Sequence, residues 1–307
     1  MSKSCEVSIQ YFAPPANLRL YCSTFFLSEI TVPDGETVED FLFPEWATLR
    51  FSSTPPPVDA EQPALAEMRS GQKLHNSRFP VMGPRSQEIR FRVGTTRIWS
   101  INLNPVGWVR FIGRPAHEFA NVMLDGFDDP VFARFWPLAD SIFGAKPDPT
   151  AELARLTRFL EDLEVPEVPN EQRILDVFLA MLDPAINSVA DFANRLAISQ
   201  RTLERICLQA FGFSPKLLLR RQRFMRSLTD YTLDPSLKWI GAMDALYHDQ
   251  AQFVRDFREF MGMTPSEYAA LEKPIMGPVM RERVEHFREV MRIARSQDDQ
   301  CECSLPG

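Results

Sequence analysis

The sequence predicts an α+β protein in two parts: a β-rich, barrel-like N-terminal domain, followed by an all-α domain in which one pair of helices occurs twice. Before about residue 143, runs of β-branched and aromatic residues alternate with proline and glycine interruptions, as is typical of short strands. Between Ser188 and Leu271, apolar residues instead recur at helical spacing in two similar stretches. A chain of 307 residues, 45% of them hydrophobic, can bury a core in each part.

Proline-rich segments predict the boundaries. GAKPDPT (Gly144 to Thr150) and EVPEVPN (Glu164 to Asn170) interrupt regular structure, and between them AELARLTRFLEDLEV predicts an amphipathic helix. The predicted units are therefore a β-rich domain at 1–143, a connector at 144–170, an all-α domain at 171–273, and a C-terminal helix with a disordered tail at 274–307. The connector helix packs either on its own domain or in a dimer seam, and the sequence leaves both open.

Within the β-rich domain, Phe41 to Ser52 has the composition of a strand, and EIRFRV with TRIWSINL predicts a hairpin that turns at Gly94 and Thr95. TPPPVDAEQP (Thr54 to Pro63) predicts a loop, because its prolines sustain neither ladder nor helix. Many aromatic side chains fall in this part. They form an ordinary core or line a pocket for a small effector. The main members of this set are Trp46, Trp99, Trp108, Trp136, Phe41, Phe43, Phe91 and Phe111.

The first helix pair begins with Val189, Phe192, Ala193 and Leu196 at helical spacing. Ser199 is then expected to cap a second helix, which Gly212 ends. In the second pair, Asp249 is the expected N-cap of a helix with apolar residues on one face. A basic helix from about Pro215 to Leu228 separates the two pairs.

Beyond Leu271, a helix is expected from about residue 278 to 295, and the last dozen residues are expected to be disordered. The five cysteines are scattered and no signal peptide precedes them, which favours a reduced, cytoplasmic protein without disulfides. Cys301 and Cys303 lack the further ligands of a metal site. No apolar run reaches the 18 or so residues of a membrane span.

Two stretches carry a resemblance to a known family. DQAQFVRDFREFMGMTPSEY (Asp249 to Tyr268) and SQRTLERICLQAFGFSP (Ser199 to Pro215) resemble the DNA-binding domain of the AraC/XylS transcriptional regulators, and Val81 to Gly113 resembles more loosely the β-rich domain of some members. The resemblance implies a cytoplasmic transcription factor, most often an activator. It would bind double-stranded DNA through two recognition helices about 34 Å apart and act on RNA polymerase.

The resemblance also assigns roles to individual residues. The base-contacting residues would be Arg201, Glu204 and Arg205 in the first recognition helix, and Gln250, Ala251, Gln252 and Arg255 in the second. The phosphate-contacting residues would be Arg195, Ser199, Lys216, Arg220 and Arg221.

This sequence departs from the family at the turns and in one recognition helix. Where the family usually has glycine in each turn, this chain has Ala197 and Leu246. Since a non-glycine residue at positive φ is uncommon, we expect either strain or a different turn geometry there. Glu204, where glutamine is more usual, could accept a hydrogen bond from cytosine or pair with Arg201 or Arg205.

The distribution of charge supports a nucleic-acid partner. The whole chain carries a formal net charge of −7, yet residues 195–226 contain eight cations and one anion. Positive charge is thus concentrated beside the first predicted recognition helix.

The sequence leaves open how DNA binding is controlled. The N-terminal domain could respond to a small effector or a protein partner, or the regulator could need no effector, and a homodimer is left open. An enzyme is a distant third, because the four histidines show no metal-ligand spacing and no nucleophile elbow, phosphate loop or dinucleotide fingerprint occurs. No cofactor and no metal are expected.

Overall fold

The computed structural model describes residues 5–53, 66–75, 77–168, 170–234 and 237–282. It confirms a β-rich N-terminal region followed by a helical region. The strands form two antiparallel sheets, sheet A in the order β1-β2-β9-β4-β7-β10 and sheet B in the order β3-β8-β5-β6. The strands are β1 (Glu6–Phe12), β2 (Cys22–Thr31), β3 (Val38–Leu42), β4 (Thr48–Ser52), β5 (Ala66–Met68), β6 (Lys73–Leu74), β7 (Pro80–Met82), β8 (Ile89–Val93), β9 (Thr96–Leu103) and β10 (Met123–Asp125).

The predicted hairpin at Gly94 and Thr95 is wrong. β8 pairs with β3 and β5 in sheet B, whereas β9 pairs with β2 and β4 in sheet A, so this short link carries the chain between sheets. Phe41 to Ser52 is likewise divided, because β3 ends at Leu42 and β4 begins at Thr48 in the other sheet. The predicted loop at Thr54 to Pro63 lies outside the described residues.

Sheet A packs one face against helices. Phe25, Trp99 and Ile101 are fully buried on that face, as expected when alternate residues of a strand point to one side. The helices that cover it are α1 (Pro105–Phe111), α2 (Trp136–Ser141) and α3 (Pro149–Asp162), with 3₁₀ turns at Ala116–Phe119 and Pro130–Phe135. The other face of sheet A looks towards sheet B.

The connector helix α3 packs on its own domain, through Leu156 and Leu160. Its fully buried Glu152 accepts a hydrogen bond from Trp99 Nε1 at 2.8 Å and pairs with Arg97 at 2.8 Å. Burial alone would raise the pKa of Glu152, but the hydrogen bonds from Arg97 and Trp99 lower it overall. The apolar face of α3 is therefore already covered within one chain.

The helical region contains α4 (Glu171–Leu182), α5 (Val189–Arg195), α6 (Gln200–Ile206), α7 (Pro215–Leu233), α8 (Lys238–Ala242), α9 (Gln250–Met261) and α10 (Pro265–Ala270). A π-helical turn at Cys207–Phe211 continues α6, and Gly212 ends it at a φ of 85°. Residues 276–282 form the start of a further helix. The rest of the helix predicted to residue 295, the predicted disordered tail, and Cys301 with Cys303 lie outside the described residues.

More than one apolar cluster spans the two regions, and Val106 of α1 packs in one of them with Val177 of α4. Leu42, Met68 and Ile89 of sheet B pack with side chains of the helical region. Their main partners are Phe224 of α7 and Phe253, Phe257 and Phe260 of α9. Within the described ranges, no helix has the length and hydropathy to cross a membrane. No group of three or more potential metal-ligating side chains occurs in that same part of the chain.

Candidate nucleic-acid interface and intersheet cavity

The first helix pair consists of α5 and α6. Ser188 caps α5 by accepting from Asp191 N, and Ser199 caps α6 by accepting from Thr202 N at 3.1 Å, which confirms the predicted cap. Ala197 lies in the turn between them at a φ of 52°. Because Leu203 faces the core of the pair, the outer side of α6 is exposed to solvent. That outer side presents Arg201, Glu204 and Arg205.

The second pair consists of α8 and α9. Asp249 caps α9 by accepting from Gln252 N at 2.6 Å, as the sequence predicts. Leu246 does not have a positive φ. Its turn is instead held by Asp244, whose Oδ1 accepts from Leu246 N at 2.9 Å and whose N donates to Ser227 Oγ at 2.8 Å. The two turns therefore differ: the first carries strain, and the second has another geometry.

On α9, Gln250, Ala251 and Arg255 are exposed. Gln252 is partly buried, and its Oε1 accepts from His248 N at 3.4 Å. Each of the two helices thus places its predicted base-contacting residues on an outer face. The buried positions carry Leu203 on α6 and mainly aromatic side chains, together with Asp256, on α9, and their contacts fix the rotation of each helix.

The arginines of α7 mostly serve the fold. Arg220 bonds to Asp256 at 2.5 Å and to Glu259 at 2.5 Å, both on α9. Arg223 lies 3.6 Å from Asp256 and donates to Leu246 O at 3.3 Å, while Arg226 bonds to Asp244 at 2.5 Å. These pairs join α7 to the second helix pair. Part of the positive charge that the sequence places in residues 195–226 is therefore neutralised internally.

Arg221 requires a correction, because it is only 3% exposed and cannot reach a phosphate in this conformation. Its Nη1 donates to Arg85 O at 2.8 Å, and its guanidinium stacks on Trp46 at 3.8 Å from the ring centroid. Burial, together with the nearby charge of Arg85, lowers the pKa of Arg221 to about 9, although the charge of Glu45 opposes the decrease. The residue fastens α7 to the N-terminal region.

The other predicted phosphate-contacting residues are on the surface except Arg220, whose guanidinium is occupied by α9. Ser199 caps α6, and the only ion-pair partner of Arg195 among the described residues is Asp183, at 3.8 Å. A groove of about 310 Å³ between the helix pairs is lined by Lys216 and Gln252, among others. Of the cations that the sequence assigns to DNA contacts, four exposed ones make no ion pair with any described residue. They are Arg201, Arg205, Lys216 and Arg255.

A cavity of about 100 Å³ lies between sheets A and B. Apolar side chains form most of its wall, including Phe26, Ile30, Leu42, Phe91, Met276 and Val279. Arg50, Ser100 and Asn102 supply polar groups from sheet A. Residues 275–279 close one side, where Asp40 accepts from Ile275 N at 2.9 Å and Met276 N at 2.8 Å, and Tyr11 donates to Val279 O at 3.0 Å.

Sequence reasoning missed these polar cavity residues. It left open whether the aromatic rings form a core or line a pocket, and the structure divides them: Phe91 lines the cavity, whereas Trp99 and Trp108 belong to the core on the opposite face of sheet A. One signal was present: Arg50 stands between Leu49 and Phe51 in a strand that otherwise buries nearly every residue. A lone charge in such a strand indicates a polar site on its second face.

Comparisons with known proteins agree with the helical region. Residues 192–270 match the family model of a helix-turn-helix domain. A 1.65 Å structure of ToxT from Vibrio cholerae has 10% identity, coverage of 87% of this chain and 98% of that chain, and a TM-score of 0.39. The structure of ToxT from the same organism bound to (E)-4-(8-methylnaphthalen-1-yl)but-3-enoic acid has 10% identity, coverage of 87% of this chain and 98% of that chain, and a TM-score of 0.39.

A further structure, of unsaturated fatty acid bound ToxT from the same organism, has 10% identity, coverage of 87% and 96%, and a TM-score of 0.38. No curated protein matches this chain.

Proposed function

We propose that this chain, in which residues 192–270 form a DNA-binding helix-turn-helix domain of the AraC type, is a sequence-specific transcriptional regulator that reads two adjacent major-groove segments. The observation that carries the proposal is the repeated, capped helix with an exposed polar face. α6 and α9 each begin at a side-chain cap, at Ser199 and Asp249, and each exposes a face of polar side chains to solvent.

The exposed residues suit base recognition. Arginine can donate two hydrogen bonds to the O6 and N7 atoms of guanine, and glutamine can pair with the N6 and N7 atoms of adenine. Arg201, Arg205, Gln250 and Arg255 provide these groups without competing ion pairs among the described residues. Lys216 and Arg195, which are both exposed, are the proposed phosphate contacts, and such contacts set affinity more than sequence preference.

The N-terminal region is proposed to control this binding. It contacts α7 and α9 through a shared apolar cluster and encloses a cavity, so a ligand in the cavity can change how the DNA-binding helices are held. Control by a protein partner, or no control at all, is the alternative. Action on RNA polymerase in the cytoplasm completes the proposed role, in which the chain catalyses no reaction.

The test is selection of binding sites from random duplex DNA by the full chain, followed by affinity measurements on the selected site. Arg205→Ala and Arg255→Ala should each cost about 1–3 kcal/mol and relax preference at different base pairs, one per block of the site. Lys216→Ala is the matched control, since loss of a phosphate contact should weaken all sequences alike and reduce the salt dependence.

Two outcomes would contradict the proposal. If Arg205→Ala and Arg255→Ala relaxed the same base pairs, the two helices would not occupy separate groove segments. If the folded chain enriched no DNA sequence, either alone or with a ligand bound in the intersheet cavity, it would not be a sequence-specific regulator. Arg220→Ala is a poor probe here, because its ion pairs with α9 support the fold.

A further inference from the structure

The helix α7 connects the two helix pairs and packs against both. Its first half contributes Leu218 to the apolar cluster that contains Leu203 of α6, whereas its second half contributes Phe224 to the cluster that contains Phe257 of α9. With 19 residues, α7 is about 28 Å long. That length is close to the roughly 34 Å between neighbouring major-groove segments on one face of a duplex. The placement of α9 relative to α6 is therefore set by the contacts that each helix makes with α7.

A buried carboxylate joins α7 to α9. Asp256 is only 2% exposed, although it lies on α9 directly after Arg255, which faces solvent. Its Oδ1 accepts a hydrogen bond from Arg220 Nη2 at 2.5 Å. Its Oδ2 accepts from Tyr247 Oη at 3.1 Å and lies 3.6 Å from Arg223 Nη2. One carboxylate thus connects two positions of α7 with the segment that precedes α9.

Further contacts hold these partners of Asp256 in place. Arg223 Nη1 donates to Leu246 O at 3.3 Å, and its guanidinium lies over the ring of Tyr247, 4.5 Å from the centroid. Burial and the charge of Asp256 raise the pKa of Tyr247, so its hydroxyl remains a donor at neutral pH. The carboxylate therefore receives its bonds from groups whose own positions are fixed.

Apolar contacts and ionic hydrogen bonds constrain α9 in different ways. Apolar packing is not directional, so the contacts of Phe253 and Phe257 bring α9 close to α7 but permit small rotations. Charge-assisted hydrogen bonds depend on direction, and a buried charge that loses its partner is strongly destabilising. A rotation of α9 that moved Asp256 away from α7 would turn Arg255 through the same angle, because both belong to one rigid helix.

We propose that Asp256 is a positioning residue that fixes α9 relative to α6, and that the protein thereby selects DNA sites by the number of base pairs between their two blocks. This role of Asp256 rests on the proposed function, in which each of the two helices reads one block. One additional base pair moves the second block by about 3.4 Å and turns it by about 34° around the duplex. Two helices held by directional bonds cannot follow that change without losing base contacts.

The test measures the affinity of the full chain for duplexes in which the two selected blocks stay constant and the spacer is one or two base pairs shorter or longer. The wild-type chain should bind each altered spacer at least tenfold more weakly, since base contacts of one helix are lost. Asp256→Asn keeps the shape but removes the charge, so it should reduce this discrimination to threefold or less, with unchanged base preference inside each block. Asp230→Asn, at an exposed position of α7, is the matched control and should discriminate as the wild type does.

A second variant separates positioning from stability. Asp256→Leu combined with Arg220→Met and Tyr247→Phe removes the carboxylate together with both groups that donate to it. Apolar side chains can replace a buried ion pair without loss of stability, so the thermal midpoint should stay within about 3 °C of the wild type. The spacing discrimination should nevertheless fall to threefold or less, because no directional bond to position 256 remains.

The outcomes distinguish this role of Asp256 from the proposed function. Similar affinity of the wild-type chain for every spacer would contradict the role, as would variants that discriminate as strongly as the wild type. In both cases the base preference inside each block, measured on the same duplexes, would still support the proposed function. Variants that lost base preference in both blocks would show that Asp256 supports general stability instead, which also contradicts the role. If the wild-type chain selected no block at all, the proposed function and the role of Asp256 would fail together.

Discussion

At the scale of single residues, the first turn stores a local cost. Ala197 has a φ of 52°, in the region that L-residues disfavour, and it is exposed, so its methyl group gains no packing in return. The turn is fixed by hydrogen bonds from Ala197 N to Asn194 O and from Ile198 N to Ala193 O, each 3.1 Å long. The turn between α5 and α6 therefore holds the backbone of Ala197 in a strained conformation.

Ala197→Gly should increase the free energy of unfolding by about 0.5–1 kcal/mol, since glycine adopts positive φ without penalty and loses some of that gain to chain entropy. Urea denaturation would measure it. Ala154→Gly is the matched control, because Ala154 is exposed inside α3 and glycine there should cost about 1 kcal/mol. A decrease of equal size in both variants would mean that Ala197 does not have a positive φ in solution.

The structural role of a residue was predictable where it depends only on its neighbours in the sequence. The caps at Ser199 and Asp249 follow from one side chain and the amides two or three residues ahead, so the sequence predicted both correctly. Arg221 could not be assigned in this way. Its partners, Trp46 and Arg85, are more than 100 positions away, and an arginine on a basic helix looks identical whether it faces solvent or another domain.

At the scale of elements, the segment after α10 returns to the N-terminal region. Asp40 on β3 is buried, and its Oδ2 accepts both Ile275 N and Met276 N. Burial raises the pKa of Asp40, although these backbone hydrogen bonds partly oppose the rise. Ile275 packs beside Ile30 and Val93, so one carboxylate and one small apolar contact hold the segment over the cavity.

Asp40→Ala should release this segment, because two buried amides lose their acceptor. Hydrogen exchange at the amides of Ile275 and Met276 should become at least tenfold faster, while amides in the ladder of β3 with β8 keep most of their protection. Glu39→Ala on the same strand is the control, since Glu39 is exposed and faces away. Unchanged exchange at both amides in Asp40→Ala would show that other contacts hold the segment.

Element types were predictable from periodicity, but their partners were not. The basic helix predicted from about Pro215 to Leu228 was found as α7, which begins at Pro215 and continues to Leu233. The strands β8 and β9 were also recognised, yet the two-residue link between them suggested a hairpin. Sheet membership depends on which other strands compete for each edge, and β2, β3, β4 and β5 are distant in sequence.

At the scale of the whole molecule, the two regions are not independent bodies. Sheet B contributes to the same apolar cluster as α7 and α9, and the C-terminal segment crosses back over the cavity. Backbone contacts add to this, since Glu88 N donates to Phe260 O at 3.0 Å and Arg69 donates to Glu259 O at 2.8 Å. The stability of α9 therefore depends on residues of the N-terminal region.

Ile89→Ala tests this dependence, because Ile89 is fully buried in sheet B within the cluster that contains Phe257 and Phe260. The truncation should cost about 2–5 kcal/mol, and hydrogen-exchange protection should fall in α9 as well as in β8. Leu160→Ala in α3 is the matched control, since Leu160 is equally buried but packs on the opposite face of sheet A. We expect the larger loss of α9 protection from Ile89→Ala. If that variant weakened β8 alone, sheet B would not support α9, and a ligand between the sheets would have no direct route to the DNA-binding helices.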